Sequence, residues 1–416
     1  MDIFQDWESN VRSYCRSFPV VFQNAEGPYL YSESGKRYLD FFAGAGALNY
    51  GHNHKYIKDR VLSYFQSDNV LHALDMHTSA KRHFMENFVN HILLQRNLHY
   101  KIQFCGPTGT NAVEAALKLA RRVKKRSGIF SFDGGFHGMS LGALAVSSNM
   151  ESRNAAGVPL THVSFMPYFD QKNKSSAGLE FMDQILTDSH SGVEKPAAII
   201  FETVQAEGGV NVASTEWMQR LRELCNKHDV LLICDDIQVG CFRTGPFFSF
   251  ERANVVPDLV TLSKSISGLG FPMSLVLMKP ELDTWMPGEH TGTFRGNQLA
   301  FVGADAAIDL ANEIGIESIV KANETFLDEF LHERIGSLSE KMHVRGVGMI
   351  WGIDVSEVGG PRLAKRVTDM CFEKGLIVER AGRQDTVIKL LPPLTIEPNL
   401  LEEGCQIIRE SVAKCI

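Results

Sequence analysis

The 416-residue chain is 44 % hydrophobic and 22 % charged, the balance of a folded protein with room for a large core. A formal net charge of -7, spread along the chain, argues against the basic face of a nucleic-acid binder. No run reaches the ~18 apolar residues of a membrane span, and residues 1–10 lack a signal-peptide core. A cytoplasmic protein with its eight cysteines reduced is therefore expected, with no membrane or nucleic-acid partner.

In chain order, residues 1–50 are rich in turn signals such as Glu33-Ser34-Gly35-Lys36. They are expected to form a small domain together with residues 297–416, beside a large domain spanning 51–296. Residues 100–105 read as a strand, followed by the turn Gly106-Pro107-Thr108-Gly109. A helix is predicted over 110–125, with Val113, Ala116, Leu117 and Ala120 on one face. The basic run from Arg121 to Arg126 reads as its solvated end. Further strands are predicted at 128–132, 197–203, 230–235 and 258–262, with a helix over 216–227. Their nearly continuous apolar texture is that of strands covered on both faces. A helical stretch runs from about 297 to 313, and helix and short strand alternate after it. The pattern predicts an α/β fold with a mostly parallel central sheet and a smaller α+β part built from both chain ends.

Ligands of such sheets bind beyond the carboxyl ends of the strands. After the first strand, Gly109 and Thr110 open a helix whose free amides suit a phosphate, although the spacing matches no nucleotide motif. After the strand at 230–235 come Asp235 and Asp236, costly to bury unless something pairs with them. A metal-binding or salt-bridged pair and a partner for a protonated pyridine nitrogen are both open readings of those acids. After the strand at 258–262 comes Lys264, within Ser263-Lys264-Ser265-Ile266-Ser267-Gly268. A partly buried lysine can serve as nucleophile and base. A phosphate cradle, a buried acid and a strand-end lysine are the parts that pyridoxal-phosphate (PLP) chemistry needs.

The run Asp235-Asp236-Ile237-Gln238-Val239-Gly240-Cys241-Phe242-Arg243-Thr244-Gly245, with Lys264 29 residues beyond Asp235, resembles the class III (ω-amino acid) aminotransferases of PLP fold type I. The likeness covers nearly the whole chain. It implies PLP as cofactor, with Lys264 as its Schiff-base lysine and proton carrier and Asp235 on the pyridine nitrogen. It also implies Ile237 and Phe136 on the two ring faces, Gln238 on the 3'-oxygen, Gly109 and Thr110 on the phosphate, and Glu202 among the cofactor-binding residues. Thr293, in Gly292-Thr293-Phe294, resembles the residue that reaches the phosphate of a neighbouring subunit, which implies a homodimer or larger homo-oligomer with shared sites. No metal site is expected.

Two positions depart from the family pattern. Met139 stands where an arginine commonly follows the stacking aromatic. Lys389, ahead of Leu390-Leu391-Pro392-Pro393-Leu394, stands where a second arginine is usually paired with the glutamate found here as Glu207. A lysine cannot make the bidentate fork an arginine makes with a carboxylate, so Arg295 is the candidate replacement. These departures resemble the branch that transfers an amino group from L-glutamate to L-aspartate 4-semialdehyde, giving L-2,4-diaminobutyrate and 2-oxoglutarate. Alternatives are another ω-amine (ornithine, 4-aminobutyrate or a diamine), a same-fold aminomutase or racemase, or a non-catalytic protein retaining the fold. His52, His54 and His137 are expected to be structural or supporting groups.

Overall fold

The computed structural model describes residues 3–416, so Met1 and Asp2 of the N-terminal stretch lie outside the described residues. Its centre is a sheet of short strands: β1 (Lys101–Phe104), β2 (Ile129–Phe132), β3 (Val163–Met166), β4 (Ala198–Phe201), β5 (Leu231–Asp235), β6 (Leu259–Leu262) and β7 (Leu275–Met278). Their order across the sheet is β1-β7-β6-β5-β4-β2-β3. β7 runs antiparallel to both of its neighbours, and the other pairings are parallel. Strands β2, β4, β5, β6 and β7 are buried along their whole length. Their sequences do not alternate because helices cover both faces.

The mostly parallel α/β sheet expected from the sequence is present, with two strands that the apolar pattern did not disclose. β3 has an edge position and mixed burial, so no periodic signal marks it. β7 is a four-residue apolar run between Pro272 and Pro280, too short for periodicity to distinguish it from a buried turn.

Helix α1 (Gly109–Lys124) buries Ala112, Val113, Ala115, Ala116, Leu117, Leu119 and Ala120 against the sheet. It ends where Lys125 turns left-handed at φ 53°. The basic run at this end is tied down: Lys124 and Arg126 pair with Asp229, and Arg121 and Arg122 donate to the carbonyls of Ser127 and Thr284. Helix α2 (Thr215–His228) begins at Ser214, whose hydroxyl accepts from the Trp217 amide at 3.1 Å.

The two chain ends meet in one small sheet. Leu376–Ile377 runs parallel to Arg37–Asp40, which continues the hairpin of Phe22–Glu26 and Tyr29–Ser32. A second sheet joins His343–Val347, Ile350–Asp354, Val387–Leu390 and Glu379–Ala381. Helix α3 (Gln298–Ile314) packs on Lys55–Gln66 and Ser79–Phe88. Among the described residues no helix is long and apolar enough to cross a membrane, no residue grouping could hold a metal ion, and the eight cysteines are free thiols.

Arg243 knots these parts together. It is wholly buried and donates to the carbonyls of Met349 (2.9 Å) and Pro392 (2.5 Å) and to Asn49 Oδ1 (2.6 Å). Asn49 in turn donates to the Cys241 carbonyl and accepts from the Leu394 amide. One guanidinium thus joins the segment after β5 to both chain ends. Arg243→Ala would leave several buried acceptors without donors, at about 1–3 kcal/mol each. The expected result is a loss of about 3 kcal/mol or more, read as a lowered urea midpoint. An unchanged midpoint would contradict this role.

Candidate active site

Beyond the carboxyl ends of β5 and β6 lies a cavity of about 170 Å³. Gly109, Thr110, Phe136, Glu202, Glu207, Asp235, Ile237, Gln238 and Lys264 all line it. Segments more than a hundred residues apart in sequence converge here because parallel strands deliver their ends to one edge. Lys389 lies just behind the wall, paired with Glu207. Thr293 is exposed and does not line the cavity within one chain. Arg295 also lies outside it, folded back near Gly106 and Gly292, with its guanidinium donating to the Thr291 carbonyl at 3.4 Å.

Asp235 ends β5 and pairs in register with Thr261 of β6. That register brings the Thr261 hydroxyl 3.0 Å from Asp235 Oδ1. The other oxygen, Oδ2, lies 2.7 Å from His137 Nδ1, and both side chains are nearly inaccessible. Burial opposes charge on His137, but the hydrogen bond and charge of Asp235 outweigh it and raise the imidazole above its usual range. Asp236 behaves differently. It is wholly buried, accepts from the Ser249 amide and hydroxyl, and does not line the cavity. Desolvation pushes its carboxyl up to about 7. The adjacent acids therefore part company: Asp235 faces the cavity and pairs with His137, and Asp236 braces the loop after the strand.

Lys264 follows β6 with a left-handed backbone (φ 52°). Burial lowers its ammonium below the ordinary lysine range, with Glu207 pulling the other way. Glu202 accepts from the Phe136 amide at 3.1 Å, and burial drives its carboxyl up to about 8. Gln238 donates to the Ala45 carbonyl (2.8 Å) and to Glu207 Oε1 (3.1 Å).

Behind the wall, Lys389 Nζ lies 2.6 Å from Glu207 and 2.8 Å from Glu379. Burial works against the Glu207 charge, but Lys389 and Lys264 more than reverse this and hold its carboxyl down at about 2. Burial leaves Glu379 raised to about 7 despite Lys389. Glu379 was not among the residues expected from the sequence. Its place depends on strand register, and a lone glutamate in a short strand carries no chemical signature.

The cavity suits PLP by its own geometry. The Gly109 and Thr110 amides open α1 without an acceptor among the described residues, as an anion-binding helix end requires. A Cβ at Gly109 would come within 2.9 Å of Ile237, so glycine keeps this edge open. Phe136 and Ile237 offer apolar walls, while Lys264 and Asp235 supply an amine and a carboxylate in the same space.

The model of the aminotransferase class-III family matches residues 12–412. A diaminobutyrate--2-oxoglutarate transaminase of Bordetella parapertussis is 51 % identical over 418 residues, covering 100 % of this chain and 96 % of that protein. One of the same name from Wolinella succinogenes is 50 % identical over 420 residues, covering 100 % and 97 %. In fold, the ornithine aminotransferase of Toxoplasma gondii superposes with a TM-score of 0.86 at 24 % identity, covering 99 % of this chain and 93 % of that one. An aminotransferase from Bacillus anthracis gives 0.88 at 24 % identity, covering 99 % and 97 %. With these matches and this cavity, the chain belongs to the class III aminotransferases, enzymes that work with pyridoxal phosphate.

Proposed function

We propose that this aminotransferase moves an amino group from L-glutamate to L-aspartate 4-semialdehyde, yielding L-2,4-diaminobutyrate and 2-oxoglutarate in a ping-pong cycle. The observation that carries the chemistry is the convergence of Lys264, Asp235 and two unpartnered helix amides on one cavity. The substrate rests on the full-length likeness to relatives bearing the diaminobutyrate name and on lysine in place of the usual arginine at position 389.

When bound, PLP supplies an aldehyde that takes up the amino group and a ring that accepts the electron pair left as a substrate C–H proton departs. The chain's own residues would do the rest. Gly109 and Thr110 would hold the phosphate through their amides, and Phe136 and Ile237 would confine the ring between them. Asp235, fixed by Thr261 and His137, would keep a proton on the pyridine nitrogen. Gln238 would reach the 3'-oxygen, and Glu202 would steady the Phe136 segment through its amide. Burial lowers the ammonium of Lys264, which eases proton release at Nζ; this amine would hold the cofactor and would take up the proton that leaves the substrate carbon.

Glu207, Lys389 and Arg295 are assigned to the substrate, with Arg295 as carboxylate partner. Thr293, exposed in one chain, would contribute to the site of a second copy, which makes a homodimer the smallest complete unit. Phe294 (65 % exposed), Met139 (57 %) and Leu141 (53 %) offer apolar surface for such a partner. The eight free thiols suit a reducing cytoplasm.

A substrate panel tests the reading. The purified enzyme should form glutamate from L-2,4-diaminobutyrate and 2-oxoglutarate faster than from ornithine or 4-aminobutyrate, and Lys264→Ala should fold yet show no turnover with any amine. Preference for another amine would displace the substrate, and wild-type turnover by Lys264→Ala would remove Lys264 from its role. Arg295→Ala should raise the KM for 2-oxoglutarate about tenfold or more, the scale of a lost charge-assisted hydrogen bond; an unaltered 2-oxoglutarate half-reaction would show that another group binds the carboxylate. Sedimentation should give at least a dimer, and a fully active monomer would refute the shared site.

A further inference from the structure

The substrate end of the cavity contains a charge imbalance. Lys389 stands directly opposite Glu379 in the antiparallel register of Val387–Leu390 and Glu379–Ala381. Its ammonium also reaches Glu207, so one cation serves two carboxylates. Lys389 is wholly buried, and of the three residues only Glu207 lines the cavity. Glu379 is tied to Lys389 by backbone pairing, and this partnership does not depend on Glu207. The two side-chain hydrogen bonds to Glu207, from Lys389 and Gln238, both fall on Oε1. Its Oε2 has no donor among the described residues. The Glu207 side chain is 28 % exposed at the cavity wall, so this oxygen is open to water or to a ligand cation.

We propose that Glu379 is a specificity-determining residue: by sharing Lys389 with Glu207 it sets two carboxylates against one ammonium, so that the Glu207 edge of the cavity carries net negative charge, and that edge binds the second ammonium of a diamino acid whose reacting amine lies at Lys264. Without Glu379, Lys389 and Glu207 would neutralise each other and the wall would offer a diamine nothing. The inference rests on the diamino acid reading above and names the residues that would enforce it. Glu379 touches neither substrate nor cofactor and acts through Lys389 and Glu207, as a positioning residue.

The test compares kcat/KM for L-2,4-diaminobutyrate with that for 4-aminobutyrate, which lacks the α-amino group, in the PLP-loaded full-length enzyme. Glu379→Gln should lower this ratio on the order of tenfold, the scale of one charge-assisted hydrogen bond. The loss should appear in the KM for diaminobutyrate, with kcat little changed. Glu379→Gln combined with Lys389→Gln removes both charges behind the wall and should restore the ratio. Glu207→Gln gives a second reading at the wall itself, with the same loss and no recovery on adding Lys389→Gln. An unchanged ratio in either single variant, or a Glu379→Gln loss that the double variant leaves in place, overturns the role of Glu379 while the substrate reading stands. A wild-type enzyme that turns over neither amine overturns both together.

Discussion

A carboxylate held almost out of water at the tip of a central strand sets the terms for the rest of this site. Among the described residues Asp235 makes no ion pair with a lysine or arginine. It is kept in place by the Thr261 hydroxyl, the Ile237 amide and the His137 ring. Such an arrangement suits a ligand that brings its own positive charge. The Thr261 contact follows from the parallel register of β5 and β6, and the His137 contact from the loop that follows β2. The sheet thus orients the acid before any ligand arrives. The same edge of the sheet carries Lys264 and the open end of α1, so anchor, acid and amine share one rigid frame.

The second organising feature is a set of buried charges that balance only collectively. Around Lys389 two carboxylates compete for one ammonium, and the competition separates them: Glu207 is held down near 2 and Glu379 is raised to about 7. Glu202 and Asp236 are raised because burial outweighs the hydrogen bonds and charges that favour their ionised forms. Four acids around one cavity therefore have different charge tendencies. Their differences come from the partners each finds rather than from residue type. Two neighbours in sequence are likewise placed apart, Asp235 at the cavity and Asp236 under Ser249.

Arg243 shows how a motif can combine chemistry and architecture. It sits in the same short run as Asp235 and Gln238, yet its contacts are backbone carbonyls and Asn49, and it does not line the cavity. Its likeness to the family motif marked it from sequence, but only the fold gives the reason. A fully buried guanidinium with five donors can satisfy several loop carbonyls at once, which no apolar side chain could do.

By itself the sequence determined the fold class, the cofactor chemistry and most of the residues around the cavity. Those signals are local: apolar runs for the buried strands, small residues where a helix opens beside a strand, and the Asp235-to-Lys264 spacing. The strands at Val163–Met166 and Leu275–Met278 escaped because four residues carry no readable period. Only the tertiary structure decided that Asp236 turns under Ser249, that His137 braces Asp235, and that Glu379 stands across from Lys389. These depend on register and on loops meeting from distant parts of the chain, where a shift of one residue would turn each side chain to the opposite face.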